Sequence, residues 1–217
     1  MKFEKLLNRA ECYRQLSICF NKPESSWYDN EKSPQKLHEI FQSLNLPAKK
    51  HSELMVDSLP GIKFDDLLVE YTNLFLGPFK TLAPPYGSYY IDKGEQLMQE
   101  STIQVKNFYI YNGLEFSDDV KEIPDHITIE LEFLYYLHYK QYEDHFNDSS
   151  DARENLIRSG REFFVKFFFP FAEKFSQRIL DSTSNEFYTN LAHSLRAFIK
   201  SEYEIYFNWD NKREKTN

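Results

Sequence analysis

Cysteine and glycine are both scarce: two and six residues in a chain of 217. The cysteines, Cys12 and Cys19, fall on one predicted helix. Two helical turns separate them by about 10 Å, too far for a disulfide. With no CxxC pair, a thiolate zinc site is excluded, and both read as small buried thiols of a reducing compartment. Six dispersed glycines cannot build a GxGxxG or Walker-type phosphate cradle, and so few disfavour a turn-rich β fold. There is no HExxH, no Glu-x-x-His pair and no GxSxG, which removes the zincin, di-iron bundle and hydrolase-elbow readings. Long apolar runs are missing too. The greasiest stretch, FFVKFFFPF over 163–171, holds Lys166 and Pro170, so no membrane span is expected. The start, MKFEKLLNRAECYRQL, is broken by charges and has no apolar signal core, which points to the cytoplasm. Positive charge is the minority: 26 Lys and Arg against 34 Asp and Glu, a net of −8. That argues against a nucleic-acid partner. It suits a cationic peptide partner, although solubility alone also accounts for it.

What the chain has in abundance is aromatics: 20 Phe, 15 Tyr and 2 Trp, enough for a large core. Apolar residues recur at helical spacing through most of the sequence. Helices are expected over 3–20, from Ser33-Pro34 to Leu44, from Pro47 to Leu59, over 64–76, over 95–111 and from Asp125 to Glu143. Another spans about 151–180 with a kink or restart at Pro170, and the last spans 185–207. No strand-like alternation stands out. The expectation is an all-α, single-domain bundle of about eight to ten helices over 1–217, with 210–217 a frayed tail. Interhelical loops of this kind can exchange helices, so either a monomer or a homodimer is expected.

Two stretches stand apart. The first is EYTNLFLGPFKTLAPPYGSYYID, residues 70–92. Gly77 suits a position past a helix end, and Pro78 cannot continue the helix. Pro84 and Pro85 stiffen the segment leading to Tyr86, Tyr89 and Tyr90. The plainer reading is a packed interhelical loop; the other is a pre-ordered aromatic surface with little entropy to lose on binding. The second stretch is Pro124-Asp125-His126-Ile127 with Glu130. Asp125 suits a helix N-cap, and His126 and Glu130, at i and i+4, share a face. Three roles stay open for it: structural capping, metal or acid–base chemistry needing further ligands that spacing does not supply, and capture of a guanidinium by paired hydrogen bonds.

Together these stretches resemble a known family. Glu70-Tyr71 … Leu74-Phe75 … Gly77-Pro78 … Ala83-Pro84-Pro85-Tyr86-Gly87-Ser88 … Tyr90 … Asp92 is similar to the signature of the TorD/DmsD/NarJ molybdoenzyme maturation chaperones. Pro124-Asp125-His126-Ile127 … Glu130-Leu131 … Phe133-Leu134 … Leu137 is similar to that family's second motif. Tyr86 stands where many members carry tryptophan, and the 161–175 stretch has aromatics where relatives often place a histidine before the proline. The resemblance implies a TorD-like fold, no catalytic activity, and a cytoplasmic chaperone. Its partner would be the precursor of a molybdopterin-dependent anaerobic oxidoreductase, held until the cofactor is inserted. In many members the target includes a twin-arginine signal peptide; NarJ-like members bind the enzyme body alone. The implied peptide-binding residues are Glu70, Tyr71, Leu74, Phe75, Pro78, Pro84, Pro85, Tyr86, Ser88, Tyr90, Asp125, His126 and Glu130. No cofactor or metal is expected. Weak guanine-nucleotide binding, suggested for some relatives, finds no phosphate loop here.

The physical side of that reading is an expectation about energies. Asp125 and Glu130 would pair with the arginines, and Tyr71, Phe75, Pro85, Tyr86 and Tyr90 would pack on the apolar part. A desolvated Arg–carboxylate contact gives about 1.5–3 kcal/mol, against about 8 kcal/mol for micromolar binding. Aromatic packing must therefore supply most of the affinity.

Overall fold

The computed structural model describes residues 2–25, 33–77, 81–115, 122–144 and 150–214. The helices are α1 (Lys2–Phe20), α2 (Ser33–Ser43), α3 (Lys49–Ser58), α4 (Phe64–Tyr71), α5 (Gly87–Ile91), α6 (Glu100–Tyr111), α7 (Ile127–Asp144), α8 (Ser150–Phe163), α9 (Phe169–Ser182) and α10 (Glu186–Glu214). Among the described residues there is no strand; the chain is all-α, as the periodicity predicts. The last helix runs past the expected end at Phe207 to Glu214.

Two helices carry π-helical turns, and each has a local cause. Residues Thr72–Leu76 extend α4 with a wider turn, closed by Gly77 N–H on the Thr72 carbonyl at 2.7 Å. The extra residue lets consecutive side chains, Leu74 and Phe75, both point into the core. Residues Phe164–Phe168 join α8 to α9 in the same way. Pro170 lacks an N–H and its ring crowds the carbonyl four residues back, so the helix widens ahead of it. The expected kink at Pro170 is thus a π-turn, and Phe163, Phe164, Phe167, Phe168 and Phe171 stay buried through it.

Helix α1 packs on α7 and α2, α10 lies on α3 and α9, and α8 covers α7. Tyr13 sits at the centre. Its ring stacks on His138 with centroids 5.1 Å apart and meets Phe168 and Phe198 edge-on. Its hydroxyl donates to Glu202 Oε2 at 2.9 Å. Arg9 reaches the same carboxylate with three contacts of 2.7–2.9 Å, tying α1 to α10. Cys12 and Cys19 are free and buried, and burial pushes both thiols up. A second aromatic cluster, Phe20, Phe75, Phe171, Phe175 and Tyr188, backs the 70–92 stretch.

Candidate functional site

The two singled-out stretches meet. Gly87 N–H donates to the Asp125 carbonyl at 2.8 Å and Ile127 N–H to the Pro85 carbonyl at 2.8 Å. These form an isolated antiparallel bridge between Tyr86 and His126. The Asp125 carboxylate adds a third link, accepting Ser88 N–H at 2.6 Å. Asp125 was expected to cap its own helix. Instead its carboxylate serves α5, and His126 takes the capping role: Thr128 N–H donates to His126 Nδ1 at 3.3 Å. Thr128 Oγ1 lies 2.7 Å from the same nitrogen. Because Nδ1 accepts from a backbone N–H, the neutral ring carries its proton on Nε2.

The rest of the loop is latched from three further sides. Gly77, at φ 56°, turns the chain where a side chain would be strained. Ala83 N–H then donates to the Leu74 carbonyl at 2.8 Å. From α9, Arg178 Nε donates to the Leu82 carbonyl at 2.9 Å and Lys174 Nζ to the Tyr90 carbonyl at 2.8 Å. Tyr90 stacks on Phe171, centroids 5.6 Å apart. Asp92 accepts Ser101 N–H at 3.0 Å and Ser101 Oγ–H at 2.7 Å, capping α6. That cap is why α6 starts at Glu100 and not near residue 95. The helix α5 itself, inside the segment expected to be a loop, is too short to show a period.

This latching turns most of the expected aromatic surface inward. Tyr71, Leu74, Phe75, Pro84, Pro85, Ser88, Asp125, His126 and Glu130 are buried, and Glu70, Tyr86 and Tyr90 are half-buried. Pro78 lies outside the described residues. Glu70 accepts a hydrogen bond from the Thr183 hydroxyl. Tyr71, Leu74 and Phe75 join the core; Phe75 meets Tyr188 edge-on at 5.6 Å. The outer rim consists of Tyr86 and the exposed Glu122, linked by a 3.1 Å hydrogen bond from the tyrosine hydroxyl. Leu76 and Leu82 are also exposed, and Thr81 Oγ1 donates to the Leu76 carbonyl at 3.2 Å.

The electrostatics follow from enclosure. Burial lowers the His126 imidazole against the opposing pull of Glu122 and Asp125. Burial and Glu122 push the Tyr71 hydroxyl up to about 12, and Tyr86 rises for the same reasons. The ring faces of Tyr86 and His126 cross at 67°, centroids 5.2 Å apart. Among the described residues no group of three or more His, Cys, Asp or Glu is placed to hold a metal ion.

Gly87, Glu122, Lys174 and Arg178 complete the site, and sequence reasoning assigns none of them a role. Gly87 is the least replaceable by size. A Cβ there would lie 3.1 Å from Glu130 Oε1 and 3.5 Å from both Asp125 Cβ and Phe171 Cδ1. Gly87→Val is expected to cost about 1–3 kcal/mol by overpacking, read as a lower urea midpoint. An unchanged midpoint would show slack between α5 and α7.

The architecture is that of an all-helical maturation-protein fold. A solved structure described as a redox enzyme maturation protein, from Archaeoglobus fulgidus, superposes with a TM-score of 0.54 over 88% of this chain and 93% of its own, at 21% identity. At that identity the likeness speaks for the fold. The sequence model described as nitrate reductase delta subunit matches residues 30–177, and the chain belongs to that family, the TorD/DmsD/NarJ chaperones. It is 26% identical over 209 residues to the chaperone protein TorD of Vibrio atlanticus, covering 92% of this chain and 96% of that one. It is also 26% identical over 148 residues to the Tat proofreading chaperone DmsD of Salmonella typhimurium, covering 68% of this chain and 60% of that one. Among the described residues no helix is long and apolar enough to cross a membrane.

Proposed function

We propose that this chaperone binds the precursor of a molybdopterin-dependent oxidoreductase in the cytoplasm and holds it until the cofactor is inserted. The part it grips is a twin-arginine leader, and the gripping edge is the joint between the two signature stretches. The observation that carries this reading is the Tyr86–His126 bridge, which welds an aromatic loop to an acidic helix start. The exposed Glu122 supplies negative charge beside Tyr86, with the enclosed carboxyl groups of Asp125 and Glu130 behind it. The Tyr86 ring and the exposed Leu76 and Leu82 supply apolar surface. A peptide with paired arginines followed by an apolar run offers a partner to both kinds of surface. The chaperone takes no part in redox chemistry itself.

Calorimetry with such a peptide tests this. Wild type is expected to bind at micromolar strength. Because ion pairs fall short of about 8 kcal/mol, Tyr86→Ala should weaken binding about tenfold or more near neutral pH, and more than Glu130→Gln does. The reverse order would remove the aromatic contribution. Binding only to a leader-deleted catalytic subunit would move the contact to the enzyme body.

A further inference from the structure

At the joint, Asp125 Oδ1, both Glu130 carboxyl oxygens and Ser88 Oγ have no hydrogen-bond partner among the described residues. Both carboxyl groups have zero solvent exposure. What faces them carries no fixed positive charge, and burial lowers the one neighbouring base, the His126 imidazole. From α5 come Gly87 and Ser88, and from α9 the Phe171 ring. From α6 comes Tyr109, whose hydroxyl donates to the Pro124 carbonyl at 3.0 Å. Two carboxylates enclosed this closely cannot both stay ionised without a cation. Asp125 Oδ2 accepts the Ser88 N–H, a hydrogen bond that Glu130 lacks on either oxygen. Glu130 then keeps its proton. Burial first, and Asp125 second, hold its carboxyl well above the usual carboxylate range. An enclosed carboxyl bonding with neither oxygen does nothing for the fold that a leucine would not do as well.

Resting on the function proposed above, we propose that Asp125 and Glu130 form a guanidinium-for-proton exchange site. When a leader arginine engages the pair, the Glu130 O–H bond breaks and its proton passes to a solvent base. The guanidinium takes the proton's place, bridging both carboxylates with parallel hydrogen bonds. One positive charge leaves as the proton and one arrives with the guanidinium, so the enclosed net charge is the same before and after and the exchange avoids stranding an ion in the interior. Entry requires the 85–88 segment to part from 125–127, past Tyr86 and the exposed Glu122.

The test uses the full chain and an N-acetylated, C-amidated peptide of two arginines followed by apolar residues, with no other titratable group. Calorimetry in buffers of different ionisation heat counts protons. While the free Glu130 carboxyl stays protonated, wild type should release about one proton per peptide, and its association constant should rise with pH by about tenfold per unit, because proton-releasing binding strengthens as pH rises. Glu130→Gln, neutral and of the same shape, should release none and show a flat profile. Wild-type binding without proton release, or equal release from Glu130→Gln, overturns the exchange and leaves the proposed function standing. No wild-type binding to the peptide overturns both. Should Glu130→Gln not fold, the infrared carbonyl band of a protonated carboxylic acid decides: loss on adding peptide to wild type supports the exchange, and persistence overturns it.

Discussion

Glu202→Ala is expected to lower the unfolding free energy by about 3 kcal/mol or more, the range for removing one partner of a buried ion pair. Glu202 is 1% exposed and accepts three contacts from Arg9 and one from Tyr13. Truncation leaves a charged guanidinium and a tyrosine hydroxyl without their acceptor, in the middle of the α1–α10 contact. For a chain of this length the loss corresponds to a fall in Tm of about 6–12 °C. Glu202→Gln keeps an acceptor for both donors and should cost less. Thermal unfolding followed by circular dichroism checks both. A Tm within about 3 °C of wild type for the alanine variant would mean that Arg9 swings to solvent, and that apolar packing alone holds α10.

Glu130→Gln is expected to gain stability over wild type as pH rises. The sign follows from where the proton sits. In the unfolded chain the carboxyl titrates near its ordinary 4.5, whereas burial and Asp125 raise it in the fold. The stability it contributes is fully present below the unfolded value and is lost as pH climbs toward the folded one. Glutamine has no such dependence. The difference in unfolding free energy should widen by about 1.4 kcal/mol per pH unit above about pH 4.5, until the folded carboxyl itself ionises. His126 is common to both proteins and cancels. Urea unfolding at a series of pH values reads the slope, and parallel curves would show that Glu130 is already charged in the fold. The same variant carries the proton count in the exchange experiment, so its stability curve also shows where that count can be read.

Burying Asp125 and Glu130 beside each other reduces stability at neutral pH, and the latching around them compensates. Lys174 and Arg178 hold the loop's carbonyls, and Asp92 holds the start of α6. The described part of the loop is thus held from α9 and α6, while its joint with α7 encloses two carboxyl groups whose remaining oxygens have no partner among the described residues.

Much of this was open to reading from the residues. Helix existence followed from spacing and from its punctuation. Ser33-Pro34, Pro60-Gly61 and Asn112-Gly113 all bound helices close to where their backbone preferences put them. The pairing of the two signature stretches was legible only as a resemblance. No local rule says that Gly87 will donate to a carbonyl 38 positions later, because a bridge of one residue pair leaves no alternation to detect. Helix α5 was illegible for a similar reason, being shorter than any period.

Composition and periodicity by themselves determined that this chain is an all-helical bundle, because backbone hydrogen bonds within helices depend on near neighbours. Only the tertiary structure decided which way the signature residues face. The i to i+4 spacing of His126 and Glu130 predicts a shared helix face, but His126 lies just ahead of α7 and caps it, and whether Glu130 meets water or α5 depends on what packs there. Asp125 shows the difference most plainly. Its local sequence favours a helix cap, yet a backbone N–H from a distant segment, enclosed away from water, claims its carboxylate.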